Sequence, residues 1–111
     1  MPQIIIKGMK IEKVKTISTA LVDELQRIIE CPRDYFTIEV VDNTFIMDEK
    51  EMAISPLVQV NWFDRGQEVQ DKAANAICRW ITSSGYSHVE IFFTVLEKNK
   101  YYENMTHYGQ G

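Results

Sequence analysis

Cysteine and proline are scarce in this 111-residue chain, which has only Cys31 and Cys78 and only Pro2, Pro32 and Pro56. The cysteines form no Cys-x-x-Cys pair and have no histidine at zinc-site spacing. The sequence therefore predicts no metal and two reduced thiols, at least one of them buried. Apolar runs extend only a few residues, well short of the ~20 that span a bilayer. No basic segment leads into a long hydrophobic stretch with a cleavage site. The expectation is a cytoplasmic protein with no membrane partner, in which the Asn104-Met105-Thr106 sequon has no use. Basic clusters are missing too: 12 Lys and Arg stand against 16 Asp and Glu, a net charge of -4. No stripe could neutralise several phosphates, so nucleic acid is not an expected partner. Nothing in the sequence asks for a cofactor.

What is present is ordinary globular material, 45% apolar and 25% charged, predicted to fold as one domain over residues 1–111. A domain this small gains from extra buried surface, and oligomerisation is one source of it.

The elements come in two similar halves. Ile11, Val14, Ile17, Leu21, Leu25 and Ile28 recur at steps of three and four, predicting a helix over 11–30 that Pro32 ends. Tyr35 to Val41 follows as a strand. The second half opens with Pro56 and a strand over 57–63. Asp64 and Gln67 have the form of a capping pair for a second helix. Val69, Ala73, Ala76, Ile77, Trp80 and Ile81 form its apolar face, and Gly85 stops it. Val89, Ile91, Phe93 and Val95 then alternate with their neighbours as a last strand.

Pro2 and Pro56 lie 54 residues apart, as do Cys31 and Gly85. Two β-α-β units are predicted, residues 2–41 and 56–96. An acidic connector, 42–55, joins them, with a short strand at 44–46, and an aromatic tail, 98–111, follows. The fold class is α/β in its α+β form: one mixed sheet, strands parallel within each unit, both helices on one face. The other face carries apolar side chains such as Phe92, which an assembly would cover. The tail, with Tyr101, Tyr102, His107 and Tyr108, docks on a neighbouring subunit or on its own chain.

Pro2 stands directly behind Met1 and opens the strand Gln3-Ile4-Ile5-Ile6. If Met1 is removed, its nitrogen is a secondary amine able to carry a proton; otherwise Pro2 is simply a residue that suits the start of an edge strand. The proline-led first strand, the two β-α-β units and the missing metal motif resemble the tautomerase superfamily, the family of 4-oxalocrotonate tautomerase and macrophage migration inhibitory factor. Residues 31–36 (CPRDYF) and 62–72 (WFDRGQEVQDK) are similar to a bacterial branch of it. The resemblance covers nearly the whole chain. It implies a homotrimer whose three sheets form a central barrel, with an active site around each Pro2 near a subunit boundary.

Strand geometry independently directs attention to two arginines. Parallel strands begin at one edge, so Arg33, Asp34 and Tyr35 are expected near Pro2. An antiparallel second unit would bring Phe63 and Arg65 there as well. Two guanidinium groups would hold the carboxylate of a small keto or enol acid and disfavour protonation of the Pro2 amine. The expected reaction is keto/enol proton transfer with Pro2 as base and then acid. The resemblance gives Asp34 a second role, orienting water for hydration or decarboxylation. Tyr101 and Tyr102 are expected beside the site. Each assignment has a plainer counterpart: Arg33 and Asp34 as a solvated turn pair, Asp64 as a helix cap, Trp62 and Phe63 as core. A non-catalytic superfamily trimer and a ferredoxin-like βαββαβ ligand-binding domain are the alternatives, and the latter would interleave the strands of the two halves.

Overall fold

Alternating side chains along four extended segments divide one sheet into a buried and an open face. The computed structural model describes residues 2–53 and 55–109. Met1, on which the state of the Pro2 nitrogen depends, and the last two residues of the tail lie outside them. The elements in chain order are β1 (Gln3–Lys7), α1 (Ile11–Ile29), β2 (Thr37–Val41), β3 (Ile46–Met47), β4 (Lys50–Glu51), β5 (Leu57–Trp62), α2 (Gln67–Ser83), β6 (Glu90–Val95), β7 (Tyr102–Glu103) and β8 (Thr106–His107).

The main sheet has the order β2-β1-β5-β6. β1 runs parallel to β2, β5 parallel to β6, and β1 antiparallel to β5. Each half keeps its two strands adjacent, which excludes the interleaved ferredoxin-like arrangement.

Ile4 and Ile6 of β1 and Val58, Val60 and Trp62 of β5 are at most 2% exposed. They face the two helices, which supply Val14, Ile17, Leu21, Leu25 and Ile29 from α1 and Ala73, Ala76, Ile77 and Ile81 from α2 to one core cluster. Each large aliphatic side chain buried there contributes roughly 1.5–3 kcal/mol relative to exposure. Ala73 and Ala76 are small, fully buried side chains of α2, and Trp62 packs against Phe93 with ring centroids 4.9 Å apart.

Several local expectations are corrected. α1 stops at Ile29, two residues short of Pro32, at a left-handed C-cap on Glu30 (φ 58) whose N–H bonds to the Gln26 carbonyl, so the cap ends the helix before proline is reached. Ile11, expected on the apolar face, is 51% exposed in the first turn. Asp64 does not cap α2: its Oδ1 accepts from the Gly66 N–H at 2.9 Å, while Gln67 donates to Asp71. A short acidic side chain bonding two residues onward makes a turn of its own, and α2 starts only after it. The strand expected from Tyr35 begins at Thr37, because Arg33–Tyr35 form a 3-10 turn. In the connector the paired segments are 46–47 and 50–51, around Asp48 and Glu49 at positive φ, as a two-residue hairpin turn demands.

The open face is more polar than expected. Its row nearest Pro2 holds Thr37, Gln3, Asn61 and Thr94 side by side, and Phe92, 46% exposed, is the large apolar group further along. Among the described residues no helix is long and apolar enough to cross a membrane.

Candidate functional site

Pro2 lies at the end of the sheet where β1 starts, and because β1 is paired on both sides it does not open an edge strand. Its carbonyl accepts the Thr37 N–H at 3.2 Å, so the start of β2 lies beside it, and its ring is buried on the side shared with Ile4 and Ile6. β5 runs the other way, with Asn61 opposite Gln3. The chain leaving β5 therefore delivers Phe63, Asp64 and Arg65 to the proline edge.

Arg65 Nη1 donates to the Ile29 carbonyl at 3.2 Å, using one of the orphan acceptors at the end of α1. Its guanidinium also lies close enough to Cys31 to oppose the effect of burial, which pushes that thiol's pKa up.

The tail folds back onto this corner of its own chain. Asn104 takes a left-handed conformation (φ 56) in the β7–β8 turn, which a short amide side chain tolerates. The return brings the Tyr108 N–H to the carbonyls of Tyr101 and Lys98 at 3.1 and 3.0 Å. The Tyr101 and Tyr108 rings stack at 5.2 Å and 12°, and both meet Phe63 edge-on at 5.7 Å. Lys98 Nζ lies 5.8 Å from the Phe63 ring centre. Partial desolvation, followed by the charge of the Glu103 carboxylate and a hydrogen bond to it, raises the Tyr108 pKa.

The result is a cleft of about 390 Å³ lined by Tyr35, Phe63, Asp64, Arg65, Lys98 and Tyr108. It offers two cations, one carboxylate and two phenols over an aromatic floor. A larger cavity, about 540 Å³, opens at the opposite end of β1 and β2 among Gly8, Ile11, Val40 and Tyr86. Its lining is mainly apolar and gathers none of the residues singled out from the sequence.

Of those residues, Arg65, Tyr35 and Phe63 line the cleft, Tyr101 backs its aromatic wall, and Pro2 sits at the same edge. Arg33 is held elsewhere, paired with Asp23 and reaching the Thr19 carbonyl on the α1 side. The expectation that it flanks Pro2 is corrected: the 3-10 turn sends its side chain toward the helix. Asp34 is exposed on that turn and does not line the cleft. Tyr102 is 58% exposed and packs on His107 instead. Lys98 and Tyr108 escaped sequence reasoning as site residues; the available signal was the seven-residue interval between Tyr101 and Tyr108 across a turn-forming Asn104. Among the described residues, no group of three or more His, Cys, Asp or Glu could hold a metal ion.

A family profile described as "Domain of unknown function (DUF1904)" matches residues 1–107. The chain belongs to the DUF1904 family. A DUF1904 crystal structure from Sebaldella termitidis is 40% identical, with a TM-score of 0.90 over 96% of this chain and 99% of that one. Beyond DUF1904, a macrophage migration inhibitory factor-like protein from Entamoeba histolytica is 17% identical, with a TM-score of 0.70 over 96% and 97% of the two chains. The structure of Pt0534 inactivated by 2-oxo-3-pentynoate is 14% identical, with a TM-score of 0.78 over 99% and 98%. At those identities the likeness is one of fold, and the fold is that of the tautomerase superfamily. No curated protein matches the sequence.

Proposed function

We propose that this DUF1904 chain is a tautomerase-like enzyme that moves a proton between oxygen and carbon in a small 2-keto or enol carboxylic acid. The observation that carries this reading is the meeting of Arg65 and Lys98 in one aromatic-walled cleft at the edge where Pro2 begins the sheet. A free Pro2 amine takes the enol O–H proton, giving an enolate, and the resulting ammonium returns the proton to carbon. Arg65 grips the substrate carboxylate with its planar fork. Lys98 stabilises the enolate oxygen, with Tyr108 walling that side of the cleft. The two cations also disfavour the charged form of the amine, moving it toward a useful base at neutral pH. A fold neighbour inactivated by 2-oxo-3-pentynoate, itself a 2-oxo acid, is in keeping with this substrate class. The assembly in this reading is a cytoplasmic homotrimer. Arg33, Asp34 and Tyr102 do not line the cleft of one chain, so this reading gives them no step within it.

The test has two arms. The intact mass of natively produced protein is expected to lack Met1, and a retained methionine, which makes the proline nitrogen an amide, overturns the reading. Met1-free protein is then incubated with a panel of enolised 2-keto acids while ketonisation is followed by absorbance. Pro2→Ala is expected to lower the rate by about 10²-fold or more. The full burial of the Pro2 ring favours one other reading, a non-catalytic trimer that binds a small acid, for which the panel would bind without turnover and Pro2→Ala would change nothing.

A further inference from the structure

The tail contributes Lys98 and Tyr108 to the cleft, yet its hold on the sheet is slight. Among the described residues, the side-chain hydrogen bond joining tail to sheet runs from Gln3 Nε2 to the Tyr101 hydroxyl oxygen, at 2.9 Å. Gln3 is the residue after Pro2, and its side chain emerges on the open face while the proline ring turns to the core.

The Gln3 amide is oriented by its neighbours. Asn61 Nδ2 donates to Gln3 Oε1 at 3.4 Å, and Asn61 Oδ1 accepts from Gln59 Nε2 at 2.9 Å. Gln59 Nε2 also reaches Thr94 Oγ1 at 3.3 Å. With the Gln3 oxygen engaged by Asn61, only the NH2 end is left to face Tyr101. Tyr101 therefore accepts from Gln3 in this bond.

From this arrangement we infer that Gln3 is a positioning residue of the cleft. By gripping the Tyr101 hydroxyl it sets the Tyr101–Tyr108 stack over Phe63, and the stack in turn places the Tyr108 phenol and the Lys98 ammonium along the cleft wall. The row Thr94, Gln59, Asn61 and Gln3 thus links the open sheet face to the wall beside Pro2. That the wall serves a reaction rests on the function proposed above; that Gln3 sets the wall does not.

Amide exchange followed by mass spectrometry decides the matter. Gln3→Met keeps the shape and loses the donor. It is expected to speed exchange across residues 98–109 about three- to tenfold, the opening expected from one lost hydrogen bond, with exchange in α1 and β5 unchanged. Gln3→Glu, which can accept from the Tyr101 hydroxyl, restores slow exchange. Tyr101→Phe matches Gln3→Met, and the double variant goes no further than either alone. Unchanged tail exchange in Gln3→Met, equal acceleration in the core, or effects that add in the double variant overturn the inference. Covalent modification of the wild-type chain by 2-oxo-3-pentynoate tests the reaction separately. Modification at Pro2 that slows in Gln3→Met and recovers in Gln3→Glu joins the wall to the chemistry, whereas no modification of wild type removes the enzymatic reading and leaves exchange to judge Gln3.

Discussion

The Arg65 guanidinium donates to the carbonyl of Ile29, the last residue of α1, at 3.2 Å. One cation thereby closes a helix terminus and keeps its remaining N–H groups for the cleft, so its substitution has two separable effects. Arg65→Ala is expected to cost about 1 kcal/mol in urea unfolding, the worth of a partly exposed hydrogen bond. Modification by 2-oxo-3-pentynoate should slow by about ten- to a hundredfold if the fork holds the acid. Arg65→Lys keeps the charge and should recover only part of either loss, since a point charge cannot grip a carboxylate with two parallel bonds.

Cys31 is buried, and burial raises its pKa despite the opposing Arg65 charge. Cys78 is half-buried on α2. A disulfide-exchange reagent at pH 8 is expected to label Cys78 first and Cys31 only as the chain opens, because thiolate and access are both needed. A raised value favours the protonated thiol in the folded state. Its contribution to stability is therefore intact below the ordinary 9.0 and declines as pH climbs through the folded value. Equal labelling rates for the two thiols in the native protein would contradict this.

Glu24 joins the two helices. Its carboxylate accepts from Arg79 and, at 2.9 Å, from Trp80 Nε1. The Arg79 hydrogen bond is the main cause of its lowered pKa. The sign is opposite to that of Cys31: stability from this group is present above the ordinary 4.5 and is lost as pH falls through the folded value. Glu24→Ala leaves the Trp80 indole without its acceptor and Arg79 with Asn75 alone, and is expected to cost about 1–2 kcal/mol at pH 7. The deficit against wild type should shrink as pH drops below 4.

The architecture was legible because it is written in period. Steps of three and four from Val14 to Leu25, alternation from Val58 to Trp62, and the 54-residue spacing of the two prolines each depend on local chemistry that the whole chain then obeys. The proline edge was legible as well, since parallel strands must share a starting edge and an antiparallel second unit must return to it. Side-chain direction was not. Arg33 and Arg65 look alike in sequence, yet a 3-10 turn aims the first at Asp23, while the Asp64–Gly66 turn leaves the second against Ile29. Lys98 and Tyr108 were hidden for another reason: their placement depends on a hairpin whose strands are two residues each, too short to leave a pattern. The open face read as apolar because Phe92 stands out, whereas the polar row of Thr37, Gln3, Asn61 and Thr94 comes together only through pairing among four distant segments.

Because the tail returns to the corner where Pro2 starts the sheet, neither end of this polypeptide is a neutral place for an affinity handle. A peptide fused ahead of Pro2 would occupy its nitrogen, and one fused behind Tyr108 would pull on the aromatic stack. The β3–β4 turn at Asp48 and Glu49, exposed and remote in the chain from both ends, is where a reporter could be spliced in, and where opening the backbone of a permuted version would disturb the cleft least.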